Sequence, residues 1–405
     1  MLNVNAAFQN NREADPLAGI SSKVIHYSLD KITAALDTAG NPHNSFKSIH
    51  IAGTNGKGSI TQYMTNILIE AGFKVGTYTS PHLISVYERI KVNNGNISAE
   101  RFEEIVAQYR NTLEGLSYFE AATFIAFVFF GEQHVDFAVI EAGLGGRLDA
   151  TNVITPEISI ISSISKEHTA FLGNTLSAIA REKAGIIKDN GITVIGKMDY
   201  HAKAAIADVA AAGNNSFYDA SETVHNKVDI QNIETWSVEL TGIASDYRLN
   251  PKMIGPWQVR NISAALLAAE LLGIKKKDIV NGIEKTIFPG RFTILRRNPY
   301  LIFDGAHTPD SAKRLIKFWF EFIPKTETVI ICGFLKDKDF GKMLSFIPKD
   351  VETYFIPVPN ERSWERDDFI DDNALHELLA SRRKNILVFG SLYLYQKIAG
   401  VVRFA

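Results

Sequence analysis

The chain has 405 residues, 46% of them apolar and 22% charged, a length that spreads over two or three domains each able to bury a core. Its 43 lysines and arginines against 45 aspartates and glutamates leave a formal charge of −2. No basic excess exists to hold a phosphate backbone, which excludes sequence-independent nucleic-acid binding. The one cysteine, Cys332, excludes an internal disulfide framework and a cysteine metal cluster, and it fits a reducing cytosol. Residues 1–16 carry no apolar core of signal-peptide type. The longest near-apolar run, 121–130, is ten residues, short of the ~18 that a membrane span needs. A cytoplasmic protein with neither membrane nor nucleic-acid partners is the expectation.

In chain order, 48–52 reads as a strand running straight into the glycine-rich 53–59. Ile60, Met64, Ile67 and Leu68 then recur at helical spacing until Gly72. Residues 74–78 form a second strand, and 99–113 and 121–130 are helices, the latter apolar on nearly all sides and therefore buried. The runs 137–140 and 158–161, the second interrupted only by Ser159, are apolar in character, as interior strands of a parallel sheet are. An amphipathic helix follows at 175–184 and a strand at 192–195. Between 200 and 251 the pattern loses regularity, with a surface loop at Gly213-Asn214-Asn215. Residues 259–272 form a helix stopped by Gly273. After Pro289-Gly290 the alternation restarts, with strands at 300–303, 328–332, 353–356 and 386–389 and helices at 311–322, 371–381 and 392–398. The pattern is that of βαβ units, with a second, smaller α/β domain starting near residue 293.

Gly53-Thr54-Asn55-Gly56-Lys57-Gly58-Ser59 sits between a strand and a helix, the context that a phosphate site requires. Glycines let backbone N–H groups converge on phosphate oxygens, the helix N-terminus adds positive potential, and Lys57 supplies a mobile cation. Ser59 or Ser80 offers a hydroxyl to a nucleotide-bound Mg²⁺. Only two residues separate Gly53 from Gly56-Lys57, so the spacing is not the usual Walker one, and an ordinary glycine-rich turn is the competing reading.

Residues 52–59 (AGTNGKGS) resemble the ATP loop of the Mur-ligase superfamily, and the remaining motifs resemble its folate branch, folylpolyglutamate synthase and bifunctional dihydrofolate synthase. These are Ser80-Pro81-His82-Leu83 leading to Glu88-Arg89-Ile90, Phe119-Glu120 with Thr123, and residues 141–152 (EAGLGGRLDATN). His168 ahead of Leu172-Gly173, residues 182–186 (EKAGI) and Pro289-Gly290-Arg291 follow, then Asp304-Gly305-Ala306-His307 and Gly390-Ser391-Leu392-Tyr393. They keep the family order over roughly residues 45–395.

The resemblance implies a P-loop-type, mostly parallel ATP- and folate-binding domain over 1–292 and a smaller C-terminal Rossmann-like α/β ligase domain over 293–405. It implies a ligase that adds L-glutamate to folates, and to dihydropteroate, through an acyl phosphate. Thr54, Asn55, Gly56, Lys57, Gly58 and Ser59 would hold ATP together with Asn261, Arg291 and Asp304. Ser80, Glu141 and His168 would ligate Mg²⁺, with K⁺ as a further cation. Lys57, Lys183, His168 and Arg291 would carry the chemistry, Lys183 as an N-carboxylated lysine. His82 and Arg89 would lie in a substrate loop, Tyr118, Phe119, Glu120, Leu148, Asp149 and Ala150 on the pterin, and His307 and Ser391 on the glutamate side. The resemblance also implies a monomer.

The residues themselves suit these roles unequally. Glu141 follows an apolar strand, so its carboxylate emerges at the C-terminal edge, where α/β sites lie. Imidazole is an unusual partner for Mg²⁺, and taken alone His168 reads as a solvated side chain. Core packing for Phe119 and solvation for Arg89 are the plain alternatives. The chain departs from the family pattern at Thr308 (usually asparagine), at Glu167 (usually aspartate) and at Gly255-Pro256-Trp257-Gln258 (usually glycine–histidine–glutamine). The charged runs 275–277 and 365–368 read as solvated faces. Competing functions are a Mur-type amino-acid ligase acting on another carboxylate, a catalytically inactive nucleotide-binding regulator, and a small-molecule kinase.

Overall fold

The computed structural model describes residues 28–404 together with Pro16, Leu17 and Gly19. It is an α/β structure built on a large, mostly parallel sheet and a second, smaller parallel-rich sheet. The large sheet comprises β1 (Lys47–Ala52), β2 (Val75–Tyr78), β3 (Ile90–Val92), β4 (Gly95–Asn96), β5 (Phe137–Glu141), β6 (Ile158–Ile161), β7 (Ile192–Ile195) and β8 (Ser216–Asp219). Their order is β4-β3-β2-β5-β1-β6-β7-β8. From β2 to β8 the neighbours pair in parallel, and β3 and β4 are added antiparallel at one edge.

Because strand side chains alternate between faces, each interior strand feeds two cores. Phe137 and Val139 of β5 join the helices Lys57–Glu70, Gln258–Leu271 and Lys276–Lys285 on one face. Ala138 and Ile140 join the helix Tyr118–Glu132 on the other. That helix begins at Tyr118, earlier than its apolar run, because Ser117 and Glu120 close a capping box around its first turn. The single helix expected at 99–113 is two, Ala99–Gln108 and Arg110–Leu113, broken where Tyr109 leaves helical backbone geometry.

The segment 200–251 is more ordered than its sequence pattern. It holds the helix Tyr200–Ala212, strand β8, and an antiparallel sheet of β9 (His225–Ile230), β10 (Trp236–Thr241) and β11 (Asp246–Leu249) in the order β11-β10-β9. β10 alternates, burying Trp236, Val238 and Leu240, and so does the short β11, burying Tyr247 and Leu249. β9 is largely exposed and gives no periodic signal. Lysines 275–277 are solvated as expected, but Lys276 and Lys277 also open the amphipathic helix Lys276–Lys285. In the run 365–368, Arg366 lies 4.0 Å over the Phe355 ring.

The smaller sheet comprises β12 (Thr293–Arg296), β13 (Leu301–Asp304), β14 (Thr328–Cys332), β15 (Glu352–Phe355) and β16 (Asn385–Phe389), ordered β12-β13-β16-β14-β15 with only β12 antiparallel. Among the described residues no helix is long and apolar enough to cross a membrane.

Candidate active site

The loop between β1 and the helix Lys57–Glu70 is held from the neighbouring strand end. Thr54 N–H donates to Ser163 O at 2.7 Å, Asn55 N–H to Ser163 Oγ at 3.0 Å, and Ser163 Oγ returns a bond to Asn55 O at 3.0 Å. Gly53 (φ +141°) and Gly56 (φ +94°) lie in backbone regions that favour glycine. A Cβ on Gly53 would collide with Ser162 and one on Gly56 with Asn261. Lys57 Nζ folds back onto Gly53 O at 3.0 Å.

The strand ends flanking this loop bring the other expected residues in. Glu141, the last residue of β5, is buried and accepts from Ser80 N–H at 3.3 Å. Burial pushes its carboxyl above the usual range, opposed by Lys57, the Ser80 N–H, Arg291 and Arg89. His168 follows β6 in left-handed geometry (φ 47°); burial lowers its imidazole, and Lys338 adds to that. Lys183 is fully buried, its Nζ 2.9 Å from both Glu167 Oε1 and Gly53 O. Burial and Lys57 depress the Lys183 ammonium while Glu167 opposes them. Burial works against the Glu167 carboxylate, but Lys183 and Lys57 prevail and hold it well below its ordinary value. The glutamate at 167, in place of the family's aspartate, thus spans the gap to Lys183.

From the smaller sheet come Asp304, the last residue of β13, His307 just beyond it, and Ser391 after β16. Asp304 spends both oxygens on backbone, accepting Phe292 N–H at 2.7 Å and Ala306 N–H at 2.8 Å. Its role at this level is to hold the crossover at 290–292, and hence Arg291, against β13. His307 Nδ1 lies 2.7 Å from Gly305 O; burial, then Lys338, lowers it to about 4. Thr308 caps the helix Pro309–Phe322, its Oγ1 accepting Ser311 N–H at 3.3 Å and lying 3.5 Å from Asn55 Oδ1. The threonine therefore keeps the cap and still reaches the phosphate loop.

Two cavities share this wall. One of about 240 Å³ is bounded by Thr54–Ser59, Glu141, Lys183, Asn261, Arg291 and Asp304. The other, about 770 Å³, is bounded by Arg89, Tyr118, Phe119, Glu120, Leu148–Ala150 and Ser391. Ser80, His168 and His307 border both. Arg89 is buried rather than solvated, 5.5 Å from the centre of the Tyr118 ring and donating through Nε to His82 Nδ1 at 3.0 Å. His82 sits behind it and borders neither cavity. Glu120 caps Ser117 N–H with Oε2 at 2.7 Å, and its buried Oε1 has no partner among the described residues. Asp149 accepts from Leu144 N–H at 2.7 Å and from Thr151. Phe119 lies against Gly143, where a Cβ would come 2.5 Å from the ring.

Sequence reasoning missed Lys338 and Arg362 on the larger cavity and Lys197, Arg260 and Arg314 on the smaller one. Each stands in a loop or helix with no spacing signal of its own. The one cue was position, since Lys197, Lys338 and Arg362 all follow the C-terminal ends of parallel strands.

A phosphate-type loop beside a deep second cavity, on this pairing of sheets, defines a ligase of Mur type, and residues 51–269 match the model of the Mur ligase middle domain. A dihydrofolate synthase/folylpolyglutamate synthase of Bacillus subtilis is 31% identical over 410 residues, which cover 91% of this chain and 94% of the relative. The crystal structure of folylpolyglutamate synthase from Thermotoga maritima matches with a TM-score of 0.84 at 31% identity over 94% of each chain. That of FolC from Escherichia coli, in complex with DHPP and ADP, matches with a TM-score of 0.84 at 26% identity over 98% of each. The chain belongs to the Mur-ligase family, in its folylpolyglutamate and dihydrofolate synthase branch.

Proposed function

We propose that the chain is an ATP-dependent ligase that joins L-glutamate to folates, extending tetrahydrofolate polyglutamates, and to dihydropteroate. One observation carries the reading: Ser80, His168 and His307 border both the phosphate-loop recess and the larger cavity. A nucleotide in the first and a carboxylic acid in the second meet there.

In this reading Thr54, Asn55, Gly56, Gly58 and Ser59 cradle the phosphates, and Asn261 and Asp304 border the rest of the nucleotide. Lys57 and Arg291 neutralise the charge that builds on the transferred phosphoryl group, the main protein contribution to such a transfer. The acid's carboxylate oxygen attacks the terminal phosphorus and ADP departs, leaving an acyl phosphate. The unprotonated α-amine of glutamate then attacks the acyl carbon and inorganic phosphate leaves. His307, kept neutral near pH 7 by burial, and Ser391 stand on the glutamate side. Tyr118, Phe119, Glu120, Leu148, Asp149 and Ala150 receive the pterin, whose amino-amidine edge suits the unspent Glu120 Oε1. Arg89, steadied by His82, faces the same cavity. We place the division of labour at residues 292/293, and we take the active form as a monomer.

Mg²⁺ fits the residues present. Glu141 is a buried carboxylate with a long hydrogen bond from Ser80 N–H, and Ser80 and His168 border the same recess. No group of three His, Cys, Asp or Glu side chains that could hold a metal occurs among the described residues. The chain would therefore supply only part of a Mg²⁺ shell, leaving the rest to waters and phosphate oxygens. When bound, the ion would neutralise phosphate charge. For Lys183, burial favours the free amine that N-carboxylation needs, whereas Glu167 would have to turn away to admit a second anion.

ADP release with dihydropteroate and with tetrahydrofolate, each with and without L-glutamate, tests the reading. Glutamate-dependent release is expected, and Lys57→Ala should leave thermal unfolding unchanged while lowering turnover about 10²–10³-fold. ATP binding without release, or turnover of a muropeptide acid but of neither folate, overturns it.

A further inference from the structure

The phosphate-loop recess continues into a further one. Lys197, Trp257, Arg260 and Arg314 border the phosphate-loop recess and also a space of about 460 Å³ in which no residue of 53–59 takes part. Pro256, Trp257, Val259 and Phe318 give this second space apolar walls.

Trp257 is unlike the other tryptophans of the chain. Trp236 Nε1 donates to Met253 O at 3.0 Å, Trp319 Nε1 to Thr328 Oγ1 at 3.0 Å, and Trp364 Nε1 to Ile356 O at 3.5 Å, all three from buried rings. The Trp257 ring is only half-buried, and its N–H has no partner among the described residues. Tryptophan ordinarily spends that donor when it packs into a protein. Its ring meets Phe292 and Phe318 edge-on, with centroids 6.1 and 5.6 Å away. The family pattern carries histidine where this chain has Trp257.

We propose that Trp257 is the platform for the base of the bound nucleotide, which stacks on the indole inside the 460 Å³ space. The inference rests on the ATP reading above and adds to it a residue and a mode of recognition. With the phosphates over the loop, Asn261 fills the space beside Gly56, and the run of shared residues at Lys197, Arg260 and Arg314 leads to Trp257. Phe318, from the helix Pro309–Phe322, stands at the platform's edge, so the base touches both sides of the junction between the sheets. Stacking tolerates any purine, so the site discriminates nucleotide from bare phosphate more strongly than adenine from guanine.

Binding of ADP and of inorganic tripolyphosphate, followed by calorimetry and by tryptophan fluorescence, tests this. ADP should quench the wild type, because the other three indoles are at most 3% exposed and border none of these spaces. Trp257→Ala should weaken ADP about five- to 150-fold, the range of a lost aromatic–base stack, and leave tripolyphosphate unchanged. Trp257→Phe should keep most of the ADP affinity and lose the quench. Equal ADP affinity in Trp257→Ala and wild type overturns the inference, and so does a loss of tripolyphosphate binding as large as the loss of ADP. A wild type that binds no ADP overturns the ATP reading itself, before any variant is made.

Discussion

His50 lies buried in β1 with Nε2 2.8 Å from Thr151 Oγ1, which is 2.5 Å from Asp149 Oδ1. The Asp149 carboxylate accepts, so the threonine hydroxyl donates to it and the imidazole must donate in turn, which fixes the Nε2–H tautomer and leaves the buried Nδ1 without a partner among the described residues. Burial, then Lys188, lowers this histidine to about 3. A histidine whose folded pKa is depressed binds its proton in the unfolded chain first, so its contribution is full above pH 6.5 and is lost as pH falls toward the folded value. Between pH 7 and pH 5, His50 alone should cost about 2 kcal/mol of stability. Urea unfolding at the two pH values should show a smaller loss for His50→Gln than for the wild type. His307, lowered to about 4, will keep part of the slope in both proteins.

At the scale of elements, the ion pair between Lys183 of the helix Leu176–Ala184 and Glu167 after β6 ties both to the end of β1, with side chains 2% and 9% exposed. Removing one partner leaves a buried charge, so Glu167→Gln should destabilise the fold by about 3–5 kcal/mol, and Glu167→Gln with Lys183→Met should recover part of that. Chemical denaturation of both variants measures it; a neutral Glu167→Gln would contradict it. The sequence exposed such elements where physics leaves a period. β5 and β6 are apolar on both faces and were legible. β9 is not, because pairing at an exposed edge is satisfied by backbone bonds that place no demand on side-chain pattern, and β11, though it alternates, is only four residues long. The loops that line the two cavities were legible for a different reason, their resemblance in series to one family. Lys338, Arg362 and Arg314, cations in loops or on a helix face, required the folded chain to bring them to the cavities.

Across the whole molecule, the site lies where the C-terminal ends of two sheets face each other. The chain passes between them at 289–292, with Gly290 (φ +81°) and Phe292 (φ +43°) in left-handed geometry. A bulky residue there is an outlier, and Asp304 on the Phe292 N–H and the packing of Phe292 against Trp257 and Phe318 hold it. Arg291 is thereby delivered into the nucleotide recess from the junction itself. Arg291→Lys keeps the charge and loses the planar fork. Turnover should fall about 10²–10³-fold while ADP affinity falls less than about tenfold; single-turnover kinetics beside calorimetry separate the two, and unchanged turnover would refute the assignment.

The walls of the two cavities draw on residues from Ser28 to Tyr393. A chain emerging from the ribosome therefore has its phosphate loop long before it has Arg291, His307 or Ser391. Until the segment that carries Ser391 and Tyr393 has been made, no fragment holds a nucleotide against an acid, and the growing polypeptide cannot spend ATP to no purpose.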